Sequence, residues 1–239
     1  MMRLDKYLSE ALGIPRSESR KRITKGQVTV NGAVCKKADT QVDEKTVQVS
    51  FGGTALAHTE YVYLMLNKPQ GVVSASQDKR DLTVTDLVKE VFPRRQLFPA
   101  GRLDKTSTGF VLLTDDGVFA HEILAPRRHV SKTYQVLLDC PCTPEMQRGF
   151  EEGVTLADGQ KLEPADLMPD LQDPCQAVVV LHQGVYHQIK RMFGVYGAGV
   201  SGLHRMAIGS VRLDESLAPG QWRPLSEQEV ETLRRESGG

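Results

Sequence analysis

The sequence has few cysteines, no excess of either charge and no long apolar run. Its four cysteines (Cys35, Cys140, Cys142 and Cys175) form no C-x-x-C pair, and with six scattered histidines they give no zinc spacing. No apolar run approaches the roughly 20 residues of a membrane span, and the N-terminus lacks the apolar core of a secretory signal. These absences predict a soluble, cytoplasmic protein with free thiols, no metal and no disulfide.

The charges balance over the whole chain but not along it. The 239 residues contain 30 basic and 30 acidic side chains, so the net charge is zero. Residues 1–37 hold nine basic and three acidic side chains, which gives this segment +6 and leaves −6 for the rest. A basic segment of this kind is typical of a phosphate-binding surface and also of an ordinary solvated helix. The length predicts one large domain or two unequal ones.

The first residues have the pattern of two short helices and a hairpin. Leucines recur every four residues from Leu4 to Leu12, which predicts one apolar helix face that "GIP" ends. Ser17 is the expected N-cap of a second helix, which Gly26 ends. Asn31-Gly32 then favours a tight turn between two strands. We expect Leu4 to face the core and its charged neighbours, Asp5 included, to face outwards.

The stretches "RLDKYL" and "SRKRITKGQVTVNG" resemble the S4 RNA-binding domain over residues 2–48. The resemblance implies an RNA partner and no reaction. The residues expected to bind RNA here are Arg3, Lys6, Arg16, Arg20, Lys21, Arg22 and Lys25. Asp5 is interpreted as structural or as part of this basic surface. The small residues of "VSFGGTALAHTE" predict a linker, so the domains are expected at 1–57, with the linker, and 58–239.

The remaining sequence mixes strand-like and helix-like segments without a repeating βαβ order. Strands are predicted in 61–69, 71–76, 108–114, 132–139, 176–184 and 210–213, and helices in 83–92, 117–126, 143–154, 186–197 and 226–235. Thr143 is the expected cap of one helix, with Pro144 in its first turn. The predicted fold class is α+β: a small S4-like module and a larger domain with a mainly antiparallel sheet flanked by helices.

The tripeptide Arg-Leu-Asp occurs three times, and its context differs each time. The copy ending at Asp214 follows a short strand, where the aspartate is expected to cap a turn. The copy ending at Asp104 lies in a small-residue loop that leads into a buried strand, which is a good platform for a positioned side chain. By local sequence alone, an ordinary turn aspartate explains Asp104 equally well.

Three stretches together resemble the RsuA family of pseudouridine synthases: "GRLDKTSTGFVLLTDDG", "KTY" and "QGVYHQIKRMF". The resemblance implies an enzyme that isomerises uridine to pseudouridine within RNA, without a cofactor. It implies that Asp104 is the catalytic carboxylate, that Tyr134 stacks on the base, and that Lys190 is the cation beside Asp104. Arg191 is the alternative cation.

The same resemblance implies further RNA contacts. Arg102 is expected to enter the RNA helix and hold the target base out, and His187 and Gln188 to shape the pocket. Arg191 is expected to bind RNA if it does not pair with Asp104. His204 and Arg205 are weaker candidates for RNA contacts.

The substrate within the family is suggested by two stretches. "TDDG" and "APRRHVSKTY" resemble the small-subunit branch, which implies 16S ribosomal RNA or a small-subunit assembly particle as partner. The alternatives are the same chemistry on 23S RNA and a non-catalytic RNA-binding factor. A glycoside hydrolase is a further alternative, which needs a second carboxylate such as Asp115 or Asp116. No large apolar seam is visible, so a monomer is expected.

Overall fold

The computed structural model describes residues 1–44, 46–56, 61–93, 95–125 and 130–238, which divide into two compact units. One unit comprises residues 1–61 and 89–95, and the other residues 62–88 and 96–239. The expected domain boundary at 57 and 58 lies outside the described residues. No helix within the described ranges is long and apolar enough to cross a membrane.

The first unit consists of two helices and short strands. Its elements are β1 (Met2–Arg3), α1 (Leu4–Leu12), α2 (Arg16–Thr24), β2 (Val28–Val30), β3 (Ala33–Val34), β4 (Gln41–Val42), β5 (Val49–Phe51) and β6 (Thr54–Leu56). The apolar period places Leu4 and Leu8 fully inside the core, and Gly13 ends α1 in the left-handed conformation at φ +62°. The expected Ser17 cap is wrong: Pro15 precedes α2, which begins at Arg16 with no side-chain cap.

Four of these strands form one antiparallel sheet in the order β3-β2-β5-β6. The predicted hairpin is confirmed, with Asn31 and Gly32 both at positive φ between β2 and β3. The predicted linker is wrong over its first half. Gly52 and Gly53 form the turn of the β5–β6 hairpin, and Leu56 packs on the core instead of lying in a solvated connection.

The second unit is a nine-stranded sheet with helices. Its elements are β7 (Tyr63–Lys68), β8 (Phe98–Pro99), β9 (Thr108–Thr114), α3 (Gly117–Leu124), β10 (Lys132–Leu138), α4 (Pro144–Glu152), β11 (Asp166–Pro169), β12 (Gln176–Leu181), α5 (Gln188–Val195), β13 (Val200–Ile208), β14 (Val211–Arg212), β15 (Trp222–Pro224) and α6 (Glu227–Glu236). The main path of the sheet is β11-β12-β10-β13-β9-β7-β15. Only β13 and β9 pair in parallel among the described strands, which confirms the mainly antiparallel α+β fold.

Local capping explains where the helices begin. The Thr143 hydroxyl accepts from the Met146 amide at the start of α4, as predicted, and Asp116 caps α3. Ser226 and Glu229 form a reciprocal capping box at α6. On the apolar face of α5, Phe193 packs against Phe150 of α4 with ring centroids 4.8 Å apart.

Two predictions for residues 71–92 are wrong, and one strand of the second unit was missed. Residues 71–76 do not pair with β7, whose partners are β9 and β15. Residues 83–92 form turns instead of a helix, although Thr83 and Asp86 bond reciprocally as at a helix start: the Asp86 carboxylate accepts from the Thr83 amide, and the Thr83 hydroxyl accepts from the Asp86 amide. The long strand β13 was not predicted, since Gly202, His204 and Arg205 interrupt its alternation of apolar and polar residues.

Candidate active site

The middle Arg-Leu-Asp lies in a loop whose backbone is held on both sides of Asp104. The Ser74 hydroxyl donates to the Leu103 carbonyl at 2.9 Å and accepts from the Leu103 amide at 3.0 Å. The Gly71 amide donates to the Lys105 carbonyl at 2.8 Å. The segment expected to be a strand therefore clamps this loop, and a carboxylate between two fixed neighbours is well positioned.

The side chain of Lys68 also supports the loop that carries Asp104. Its side chain is fully buried at the end of β7, and its ammonium donates to the carbonyls of Ser107 at 2.7 Å and Pro69 at 3.0 Å. Burial is the largest of the influences that lower the pKa of Lys68 from 10.5 to about 8; the charge of Asp104 opposes this shift, and the charge of Arg205 adds to it. Sequence reasoning missed Lys68. The available indication was a lysine that ends an apolar strand just before Pro69.

The Asp104 carboxylate is 28% exposed and faces two basic side chains from the loop and helix at 185–195. One oxygen lies 3.3 Å from His187 Nε2, and the other lies 3.6 Å from Lys190 Nζ. Lys190 also donates to the Thr106 hydroxyl at 3.0 Å, on the same loop. This arrangement leaves one carboxylate accessible to a ligand, with a cation beside it.

Tyr134 lies on β10, which β13 separates from β9, the strand that follows this loop. β10, β13 and β9 are neighbours, and Arg205 on β13 is opposite both Tyr134 and Gly109. Arg205 is 3% exposed, its Nε donates to the Phe110 carbonyl at 2.6 Å, and its guanidinium carbon lies 6.0 Å from the Tyr134 ring centroid. Tyr134 itself is largely buried. Arg205 therefore supports the site from inside, and its burial is incompatible with the RNA contact expected for it.

Two family models match the chain. A model of RNA pseudouridylate synthases matches residues 62–194, and a model of the S4 domain matches residues 2–47. The chain is 41% identical to the RNA pseudouridine synthase YtzG of Bacillus subtilis, over 97% of this chain and 98% of that protein. The chain belongs to the RNA pseudouridylate synthase family. This synthase therefore consists of an S4 domain and a larger catalytic domain of an isomerase family.

Two further comparisons agree with this membership. The synthase is 41% identical to the ribosomal small subunit pseudouridine synthase A of Vibrio vulnificus, over 97% of this chain and 99% of that protein. A crystal structure of a pseudouridylate synthase aligns with a TM-score of 0.68 at 38% identity, and the alignment covers 98% of this chain and 100% of that chain. The similarity extends over both units.

The other expected site residues of the synthase have different surroundings. Arg191 pairs with Asp158, whereas Lys190 is the residue beside Asp104. Gln188 is buried, and its side-chain oxygen accepts from the Val185 amide at 3.1 Å, so it holds the turn before α5 and offers RNA little surface. Arg102 is exposed. Of the predicted catalytic set, the structure brings Asp104 and Lys190 together directly.

The basic residues of the S4 domain fall into two groups. Arg3, Arg16 and Arg20 all contact the Asp5 carboxylate, which is fully buried, so the expectation that Asp5 faces outwards is wrong. The other expected RNA-binding residues of this domain have different surroundings. Lys6 lies 3.8 Å from Glu10, Arg22 contacts Glu18 and the face of the Phe51 ring, and Lys21 and Lys25 are exposed.

Asp115 and Asp116 have structural roles. An Asp115 oxygen accepts from the Val62 amide at 2.7 Å. Asp116 accepts from the Phe119 amide, the Tyr63 hydroxyl and Arg234, which together with its position at the start of α3 keeps its pKa low despite burial. These bonds leave neither side chain as the second carboxylate of a hydrolase. Within the described ranges, no three His, Cys, Asp or Glu side chains are grouped to hold a metal ion.

Gly109→Ala is expected to lower the free energy of unfolding by about 3 kcal/mol or more. Gly109 has φ +102°, and an added Cβ would lie 2.7 Å from the Arg205 backbone nitrogen and closer still to its carbonyl oxygen. Urea unfolding of the full chain measures the change. Gly117→Ala is the matched control, because its Cβ meets nothing within 4 Å. Equal stability of the two variants would contradict this close approach of β9 and β13.

Proposed function

We propose that the protein converts one uridine of 16S ribosomal RNA into pseudouridine, with Asp104 as the catalytic carboxylate. The observation that supports this most directly is the accessible Asp104 carboxylate, held on a clamped loop with Lys190 Nζ at 3.6 Å, in a chain of the pseudouridylate synthase family. The Lys190 ammonium places an opposite charge beside this carboxylate.

The reaction breaks the N1–C1′ bond of the target uridine and joins C5 of the same uracil to C1′. Uracil gains a proton at N1 and loses one from C5, so nothing is oxidised, reduced or hydrolysed. The Asp104 carboxylate acts either as a nucleophile at C1′ or as the base that takes a proton from the sugar. Tyr134 lies against the uracil ring, where its aromatic face restricts the base while it turns.

A uridine stacked in an RNA helix cannot present C1′ and C5 to this carboxylate. The target must therefore leave the stack, and we propose that the exposed Arg102 takes its place and holds the base out. We propose that His187, which stacks on Tyr186 and lies 3.3 Å from Asp104, shapes one side of the space that receives the target base. Lys190 places a positive charge 3.6 Å from the Asp104 carboxylate, and this attraction strengthens when bound RNA excludes water.

The choice of 16S RNA is supported by two observations. The sequences "TDDG" and "SKTY" resemble the small-subunit branch, and the Vibrio vulnificus relative is named for the ribosomal small subunit. We also propose that residues 1–57 comprise an S4 domain with its linker and bind folded RNA, and that residues 58–239 form the catalytic domain. We further propose that the protein acts in the cytoplasm as a monomer.

Tritium release from uracil C5 tests this function, because forming the C5–C1′ bond expels that hydrogen. We expect release to water from C5-labelled 16S transcripts or 30S particles and none from 23S transcripts. Release from 23S RNA alone would keep the chemistry and overturn the substrate. Free uracil as product would indicate hydrolysis and overturn the reaction. Binding without any release from either RNA or from particles would favour a non-catalytic RNA-binding factor.

A further inference from the structure

A buried carboxylate in the S4 domain contacts three arginines at once. Asp5 Oδ1 accepts from Arg16 Nη2 at 2.7 Å and Arg3 Nε at 3.2 Å, and Oδ2 accepts from Arg20 Nε at 2.8 Å and Arg3 Nη2 at 3.2 Å. Two N–H groups on each oxygen saturate the acceptor capacity of a carboxylate. We call Asp5, Arg3, Arg16 and Arg20 the arginine cluster.

The backbone fixes the centre of the arginine cluster. Asp5 lies in the first turn of α1, its amide donates to the Ala38 carbonyl at 3.0 Å, and its side chain is fully buried. Arg16 and Arg20 lie one turn apart on α2, so both side chains reach the same point. Burial acts to raise the pKa of Asp5, but the three arginines outweigh it and hold the pKa well below its usual range.

The outer sides of the three arginines remain accessible. Their side chains are 42%, 47% and 54% exposed, although each is bonded to Asp5. A guanidinium has five N–H groups, and Asp5 uses only one or two from each, so the remaining groups are available to a ligand. The cluster carries a net charge of +2 with its guanidinium groups bonded to Asp5, whereas Lys21 and Lys25 are exposed lysines, a residue type with a flexible stem.

We propose that Asp5 is a positioning residue that orients Arg3, Arg16 and Arg20 as a receptor for phosphate oxygens of folded RNA. The inference rests on the proposed function insofar as the partner is RNA. Planar forks bind phosphate in a bidentate manner, and holding them before binding removes part of the entropy cost of ordering them. Removal of Asp5 leaves three mobile arginines that repel one another.

This proposal and a simple charge argument predict opposite signs for Asp5→Asn. The substitution raises the net charge of the S4 domain by one, so attraction of a polyanion by charge alone predicts tighter binding. Loss of positioning predicts weaker binding, by about tenfold, because charge-assisted bonds to phosphate lose their geometry. The sign of the change therefore distinguishes the two explanations.

The experiment is a binding titration of the full-length protein with an unlabelled 16S transcript at several salt concentrations. Asp39→Asn is the matched control, because Asp39 is an exposed aspartate between Ala38 and Thr40, whose carbonyls bond to the start of α1. We expect Asp5→Asn to bind about tenfold more weakly, with a shallower salt dependence, and Asp39→Asn to bind as tightly as wild type or slightly more tightly. Equal or tighter binding by folded Asp5→Asn would overturn the inference.

A second comparison decides the question if Asp5→Asn disturbs folding, which circular dichroism detects. Arg20→Gln and Lys21→Gln each remove one charge from adjacent positions of α2, and only Arg20 contacts Asp5. Arg20→Gln should weaken binding several times more than Lys21→Gln, and equal losses would contradict the arginine cluster. Binding is measured without catalysis, so a wild-type protein that binds RNA but releases no tritium would overturn only the proposed function.

Discussion

Asp104→Asn is expected to lower the rate of pseudouridine formation by about a thousandfold or more, without weakening RNA binding. An amide of the same shape keeps the packing of the loop but can neither attack C1′ nor take a proton. Loss of a negative charge does not disfavour a polyanion. Single-turnover tritium release with enzyme in excess over 16S transcript measures the chemical step apart from binding.

The third Arg-Leu-Asp provides a control for Asp104→Asn. Asp214 occupies the same tripeptide, but its carboxylate accepts from the Ser216 hydroxyl, from Arg223 and from the Ser216 amide. These bonds lower its pKa to about 2 and close a turn. Asp214→Asn should reduce stability and leave the single-turnover rate of the folded protein unchanged. A normal rate for Asp104→Asn would remove Asp104 from the catalytic role and leave the pocket without its proposed carboxylate.

The parts of this fold that could be predicted depend on contacts close in sequence. The leucine repeat predicted α1, and the pair Thr143-Pro144 predicted the start of α4. The apolar run before Asp115 predicted β9. In each case the residues that determine the element lie within it or beside it. Local patterns also identified the loop of Asp104 as small and tight, because glycine adopts the backbone conformations that tight turns require and short hydroxyl side chains stabilise such turns.

The missed features depend on distant contacts. Residues 71–76 have the composition of a strand, but Ser74 bonds to Leu103, 29 residues later, instead of pairing with β7. Arg205 appeared available to RNA because its charge predicts exposure, whereas the parallel pairing of β13 with β9 buries it beneath Gly109. The burial of Arg205 cannot be deduced from the residues beside it in the sequence.

The surroundings of the charged residue Asp5 could not be predicted from the local sequence either. The helix pattern correctly placed Leu4 inside, and the next residue of a helix usually points elsewhere. Three arginines that come from two segments compensate for the burial of Asp5, and only the approach of α2 brings two of them there. A count of basic residues therefore describes the total charge of the S4 domain but not which side chains are fixed.

Lys190→Met is expected to lower the single-turnover rate by about 10- to 100-fold, whereas Arg191→Met should change it little. Both substitutions remove one positive charge from the same turn of α5. Only Lys190 lies within 3.6 Å of Asp104, while Arg191 is bonded to Asp158. The expected loss is smaller than for Asp104→Asn because Lys190 acts only through its charge beside the carboxylate, whereas Asp104 itself carries out the reaction.

A cation near RNA can support either the reaction or the binding of RNA. Comparing the single-turnover rate with the affinity for RNA separates these two roles. If Lys190 supports the Asp104 carboxylate, Lys190→Met reduces the rate at saturating enzyme, and the affinity of the two methionine variants for 16S transcript is similar. Lys190→Arg keeps the charge and should retain most of the rate, since a guanidinium can also reach the carboxylate. Equal rates for Lys190→Met and Arg191→Met would mean that the proximity of Lys190 to Asp104 contributes no more than a charge elsewhere on the helix.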